Sequence, residues 1–306
     1  MKVLCFGSLN IDSTYRVDHF VRKGETLAAD SLHIFSGGKG LNQSIALAKA
    51  GAAVWHAGAV GEDGRFLLRE LENAGVHTEY VRILSDERTG SAIIQNDAEG
   101  DNCILLYGGA NRAITRAQAD AVLENFGADD ILVLQNEISQ IPYIMEQAHK
   151  KGMKIVLNPS PMEQAVLQFP LETVDYFLLN RVEAAQLAGL ADACEETELV
   201  RTLRNKFPAA AIVLTLGEQG AWYLCGATEI RQPAYPVRAV DTTAAGDTFT
   251  GFFLGGLVRG LSAAEAMQLA AKASAIAVTR PGAAPSIPTL DEVEAYSRSE
   301  MFRGQQ

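Results

Sequence analysis

What the 306-residue sequence lacks narrows its class first. It has no apolar run of membrane-spanning length, and Met1-Lys2 leads straight into a strand-like V-L-C-F, so neither a membrane span nor a secretory signal is expected. Cysteine is scarce: Cys5, Cys103, Cys194 and Cys225 lie far apart with no C-x-x-C spacing, which implies free thiols in a reducing compartment, the cytoplasm by default. The five histidines occur singly, without metal-ligand spacing. Positive charge is in deficit, 26 Lys and Arg against 37 Asp and Glu, and the net charge of −11 argues against nucleic acid or an anionic membrane as partner. There is no low-complexity tract, internal repeat or linker. No G-x-G-x-x-G follows a strand, which sets aside an NAD-dependent oxidoreductase, and Lys39 is followed by Gly rather than Ser or Thr, so there is no Walker A loop.

What remains is an ordinary globular composition, 48% hydrophobic and 21% charged, long enough for an ample core. Lys2 to Gly7 reads as a buried strand. Ser13 to Val21 and Leu27 to Phe35 read as strands of mixed polarity, and a helix runs from the glycine turn near Lys39 through Ala50. Strands follow at Ala53 to Ala59, Val76 to Leu84, Gly90 to Asn96 and Cys103 to Tyr107, the last two joined by the hairpin loop D-A-E-G-D-N. From Thr115 onward helix and strand alternate: helix 115–125, strand Ile131 to Gln135, helix 139–150, strand Lys154 to Leu157, strand Val174 to Leu179, helix 196–206 and strand Ala211 to Leu216. This pattern predicts an α/β fold with a mostly parallel sheet covered on both faces, with the early hairpin strands as a small separate β layer. The helices at 246–259 and Ala263 to Val278 are apolar nearly all round, hence buried. Gly251 and Gly255 at i, i+4 suit close helix packing.

Three stretches carry candidate chemistry. V-D-T-T-A-A-G-D-T-F-T-G (240–251) places Ala244, Ala245 and Gly246 where a helix begins, and bare amides there form an anion site. Asp247 in the first turn is either a cap or a base that abstracts a proton from a nucleophilic hydroxyl. G-S-L-N-I-D sets Asn10 and Asp12 on one side of an extended segment, able to receive several hydroxyls or to form an Asx turn. S-G-G-K-G-L-N-Q-S allows close approach of a ligand at Gly37, Gly38 and Gly40, with Lys39 and Asn42 to bond it, or is only a glycine turn.

Over nearly its full length the chain resembles the ribokinase, or phosphofructokinase-B type, family of carbohydrate kinases. The resemblance rests on six ordered elements: G-S-L-N-I-D, the G-G-K-G-L-N-Q-S stretch with Gly51 and Gly61 beyond it, L-N-R-V-E-A at 179–184, L-T-L-G-E-Q-G at 214–220, D-T-T-A-A-G-D-T-F-T-G, and A-V-T-R-P-G-A-A-P-S at 277–286. It implies a single ribokinase-like α/β domain over 1–306, with lid strands within 12–36 and 88–108. It implies Asp247 as base and Ala244, Ala245 and Gly246 as anion hole. Asn10, Asp12, Gly38, Lys39, Asn42 and Glu137 would hold the sugar. Asn180 and Glu183 would organise Mg²⁺ and phosphates, and Thr215, Gly217 and Gly220 would line the ATP site with Gly246. Asp241, Thr243, Ala277, Arg280, Gly282 and Ser286 would form a loop for an activating K⁺. The lid would exclude water and pair two subunits in a homodimer.

Three departures stand out: Phe252 replaces a small residue behind the anion hole, Ala271 stands where relatives carry Asn or His near the adenine, and Arg181-Val182 replaces a polar pair. The resulting expectation is an ATP-dependent sugar kinase acting on the primary hydroxyl of a pentose, D-ribose first, with Ile93, Gln95 and Leu105 expected at the rim of the sugar site. The competing readings are a kinase of 2-deoxyribose, fructose, a nucleoside or a sugar phosphate (Arg16, Arg22 and Lys23 being the candidate phosphate ligands) and a sugar-binding regulator without turnover.

Overall fold

The computed structural model describes residues 1–99 and 101–296. The chain opens with β1 (Val3–Phe6), whose four residues are all buried because the strand lies mid-sheet between two cores: Val3 and Cys5 face one, Leu4 and Phe6 the other. Then come β2 (Asn10–Arg16), β3 (Ser31–Gly37), α1 (Lys39–Lys49), β4 (Val54–Gly61), α2 (Arg65–Asn73), β5 (His77–Leu84), β6 (Gly90–Asn96) and β7 (Asn102–Tyr107). The alternating stretch contributes α3 (Arg116–Leu123), β8 (Ile131–Gln135), α4 (Ile141–Lys150), β9 (Lys154–Asn158), β10 (Tyr176–Asn180), α5 (Arg181–Ala188), α6 (Glu196–Lys206) and β11 (Ala211–Thr215). The chain continues through β12 (Ala221–Cys225), β13 (Thr228–Gln232), α7 (Ala245–Val258), α8 (Ala263–Ala277) and α9 (Leu290–Ala295).

Nine strands form one sheet in the order β13-β12-β11-β10-β9-β8-β1-β4-β5. The seven from β11 to β5 are parallel; β12 and β13 close one edge antiparallel. Helices α3 to α6 cover one face and α1, α2, α7, α8 and α9 the other. Strand order runs outward in opposite directions from β1 and β8, so the crevice beyond their carboxyl ends is a topological switch point, where open α/β sheets bind ligands. On the second face α7 packs onto α1: a Cβ at Gly251 would strike Ala46, and one at Gly255 would meet that of Ala50 at 2.5 Å. The expected close packing at these glycines is therefore present.

The remaining four strands form a separate sheet, β3-β2-β6-β7. Its strands lie earlier and later than the hydrophobic pattern predicts, β2 beginning at Asn10 and β3 ending at Gly37. Asn10 pairs with Gly37 and with Gly90, so the sheet extends down to the switch point instead of ending above it. The register also corrects the expected rim. Ile93 and Leu105 pair along the line of Ser13, and Gln95 along that of Tyr15, on the face opposite Asp12. The hairpin loop expected over 97–102 includes Gly100, which lies outside the described residues. Segment 235–240 pairs with no strand among the described residues, and Pro236 removes a backbone donor there.

Candidate active site

Helix α7 begins with Ala244 in the left-handed region, φ 58°, at its N-cap. That turn engages the Ala245 N–H with the Thr242 carbonyl at 3.2 Å, and no backbone acceptor serves the N–H groups of Ala244, Gly246 or Asp247 among the described residues. A Cβ at Gly246 would meet nothing within 4 Å, so open space lies before these amides and the positive end of the helix dipole. Asp247 sits in this first turn, only 6% exposed. It does not cap its own helix. Its Oδ2 accepts from Asn42 Nδ2 at 3.0 Å and its Oδ1 from Gln43 Nε2 at 2.9 Å, both on α1.

Helix α1 is brought there by its glycines. Gly38 adopts φ 94°, where a side chain is strained, and a Cβ at Gly40 would run into the backbone of Gly7 and Ser8 just after β1. This close approach gathers the second half of the site. The Lys39 N–H donates to Glu137 Oε2 at 2.9 Å, Ser8 Oγ donates to the same oxygen, and the Gly40 N–H donates to Ser8 Oγ at 3.2 Å. Burial alone would lower the pKa of the Lys39 ammonium; the carboxylates of Asp247, Glu137 and Glu183 outweigh it and hold the pKa above the ordinary lysine value. Burial, with the like charge of Glu137 added, pushes the Asp12 carboxyl up to about 6. Asn10, 7% exposed, accepts from Asn111 Nδ2 at 2.7 Å. Asp12, Lys39, Asn42 and Glu137 thus lie together around Asp247 at the switch point, with Asn10 and Gly38 beside them. Asn42 Oδ1 is buried there without a partner, an acceptor that a ligand hydroxyl would satisfy.

On the other side of the α7 N-terminus lies a cavity of about 630 Å³, within the usual range for small-molecule sites. Thr215, Gly217, Gly220 and Gly246 line it as expected, together with Tyr235 and Phe249. Ala271 also lines it, presenting a methyl group. Phe252 lies fully buried in the core beneath.

Asn180 and Glu183 form a reciprocal capping box on α5: Asn180 Oδ1 accepts from the Glu183 N–H at 2.8 Å, and Glu183 Oε2 from the Asn180 N–H at 3.0 Å. Arg181 turns away, donating to the Cys194 carbonyl, and Val182 is exposed. Asp241 ties two loops together, Oδ1 accepting from the Thr243 N–H at 2.9 Å and Oδ2 from the Gly282 N–H at 2.8 Å. Burial would raise the Asp241 pKa; the hydrogen bonds from Thr243 and Gly282 outweigh it and hold the pKa low. Ala277 accepts from the Arg280 N–H at 3.0 Å, the Arg280 guanidinium pairs with Glu292, and Ser286 turns its hydroxyl to the Ala283 carbonyl. No group of three or more His, Cys, Asp or Glu among the described residues is arranged to hold a metal ion.

The structure adds Gln43, Ser8 and Asn111 to the residues that sequence reasoning named. Ser8 and Gln43 lie inside the quoted G-S-L-N-I-D and G-G-K-G-L-N-Q-S stretches, but each of the three bonds a predicted residue from a distant part of the chain, and that partnership is not visible locally.

This arrangement of anion site, buried carboxylate and flanking polar pocket agrees with the comparisons. Residues 1–290 match the model of the pfkB family carbohydrate kinases, and the chain belongs to that family. It is 35% identical over 302 residues to the ribokinase of Staphylococcus aureus, covering 95% of this chain and 98% of the relative. It is 31% identical over 302 residues to the deoxyribokinase of Salmonella typhi, covering 97% and 98%. The structure of Arabidopsis thaliana ribokinase complexed with ribose and ATP superposes with a TM-score of 0.85 at 28% identity, covering 97% of this chain and 99% of that one. The chain is an ATP-dependent sugar kinase with a ribokinase-like fold. No helix among the described residues is long and apolar enough to cross a membrane.

Proposed function

We propose that this protein phosphorylates D-ribose at its primary hydroxyl with ATP. The observation that carries the reading is the position of Asp247, buried in the first turn of α7 between an open anion site and a polar pocket, its rotamer fixed by two amides. The sugar lies against Asn10, Asp12, Lys39, Asn42 and Glu137. Asp247 accepts the proton of the primary hydroxyl, whose oxygen forms the new bond to the γ-phosphorus as the bond to the β,γ-bridging oxygen breaks and ADP leaves. The N–H groups at the start of α7 stabilise the charge on the transferring group, and Lys39 adds a positive charge beside it.

Magnesium bound with the nucleotide supplies charge neutralisation at the phosphates. The residues present fit a Mg²⁺ that keeps its waters, because the capping box already occupies one oxygen each of Asn180 and Glu183. K⁺ fits the loops joined by Asp241, where hard oxygen donors come from Thr243, Ala277, Gly282 and Ser286. A homodimer is supported by the outer face of the lid. Leu32, Ile34, Ile93, Leu105 and Tyr107 share the face of Ser13, opposite the sugar pocket, and all are exposed. Four unpaired cysteines suit the cytoplasm.

A sugar-phosphate substrate is disfavoured by the lid. Arg16 closes β2 six residues from Asn10, about 20 Å along the strand, and Arg22 and Lys23 are exposed beyond it. The test is kcat/KM for ribose, 2-deoxyribose, fructose and adenosine under saturating ATP and K⁺. Ribose should lead, with 2-deoxyribose at least about 10-fold poorer because it leaves a buried acceptor unpaired. Fructose or adenosine ahead of ribose, or deoxyribose equal to it, would overturn the assignment.

A further inference from the structure

Gln43 belongs to none of the groups assigned above, yet it is fully buried and every polar atom of its side chain is committed. Its Nε2 donates to Asp247 Oδ1 at 2.9 Å and to Asn158 Oδ1 at 3.1 Å, while its Oε1 accepts from Gln135 Nε2 at 2.7 Å. The first of the two amide neighbours is itself oriented by the sheet. Asn158, the last residue of β9, donates its Nδ2 to the Leu178 carbonyl at 2.8 Å, which leaves only its oxygen for Gln43. Gln135, the last residue of β8, presents Nε2 to Gln43 and to Cys5 Sγ, its oxygen lying against Gly7. An inverted Gln43 amide would set oxygen against the Asn158 oxygen and the Asp247 carboxylate together, so a donor faces Asp247.

We infer that Gln43 is the positioning residue of the phosphoryl transfer: anchored to the ends of two central strands, it fixes the Asp247 carboxylate on α7 in the rotamer that faces the acceptor hydroxyl. The inference rests on Asp247 being the base. Asn42 holds the second carboxylate oxygen from the same helix, but its own Oδ1 has no partner, so only the Gln43 bond is braced from the sheet. The other ionisable groups facing Asp247 are the Lys39 ammonium on α1 and the Cys5 thiol on β1; Glu137 and Glu183 act on the same ammonium.

Gln43→Met keeps the length and volume of the side chain and removes both polar ends. It should lower kcat about 10-fold or more while sugar KM stays within about 3-fold, since Gln43 touches no sugar ligand except through Asp247. A loss confined to kcat separates positioning from a general packing defect, which would disturb sugar binding as well. Gln135→Met, which leaves Gln43 its bonds to Asp247 and Asn158 but removes one brace, should shift kcat in the same direction by less. The result that overturns the inference is a folded Gln43→Met enzyme with wild-type kcat, or one in which KM alone rises. Asp247→Asn measured alongside separates the two claims. If it is inactive while Gln43→Met is unimpaired, the positioning role fails alone; if it is active, the base assignment fails and the positioning role with it.

Discussion

Asp12 shows most clearly how burial and charge poise the site. In the unfolded chain its carboxyl titrates near 3.8, and in the folded protein near 6, because burial and Glu137 disfavour its charge. A raised carboxyl pKa contributes stability that is present below about 4 and lost as pH rises through about 6. At neutral pH the charged Asp12 therefore costs the folded protein up to about 3 kcal/mol. Asp12→Asn should be more stable than wild type at pH 8 in urea unfolding, with the difference gone near pH 4, and should lose kcat/KM for ribose. Parallel stability curves from pH 4 to 8 would refute this. Asp12, Asn10, Lys39 and Asp247 were legible in the sequence because turn glycines or a strand end mark their places. Gln43 was not: the residue it serves lies 204 positions away, and along α1 it reads as one more polar residue in a helix.

At the scale of elements, the turn into α7 stores strain. Ala244 is one of two non-glycine residues with positive φ among those described, a conformation that costs an L-residue about 1 kcal/mol or more. Ala244→Gly should raise unfolding stability by roughly that amount, unless the freedom glycine gains in the unfolded chain offsets it. It should also raise KM for ATP, because the N–H groups are no longer held in place. A lower ATP KM would contradict the role of this turn in binding anions. Next to it, Asp241→Ala cuts the tie to Gly282 in the 280–282 loop and the turn bond to Thr243. Activation by K⁺ over Na⁺, measured at equal ionic strength, should disappear in this variant; equal rates of the wild type in K⁺, Na⁺ and choline would reduce the loop to a structural turn. Elements with a clear apolar run or periodicity, such as β8 and α6, fall where the sequence pattern puts them. The β12–β13 hairpin does not announce itself, since its turn at Gly226 lies inside a stretch that lacks strict alternation. The lid strands shift because their pairing with Gly37 and Gly90, not their own polarity, sets where they begin.

For the whole molecule, αβ alternation with short apolar strands was enough to read a mostly parallel sheet covered on both faces. The sheet order, and with it the crevice at β1 and β8, comes from long-range pairings that periodicity does not encode. The same holds for the lid's outer face, where the apolar side chains of three strands become one surface only once the register is set. Light scattering at micromolar concentration should give the mass of a dimer, and Leu105→Lys together with Ile34→Lys should yield monomers. A fully active wild-type monomer would contradict the pairing. The central claim, that a carboxylate at the start of α7 drives phosphoryl transfer to a sugar hydroxyl, is tested most directly by Asp247→Asn. The purified, folded variant should bind ribose within a few-fold of wild type and lose roughly 10²–10⁴ in kcat; a near-wild-type kcat would contradict the account.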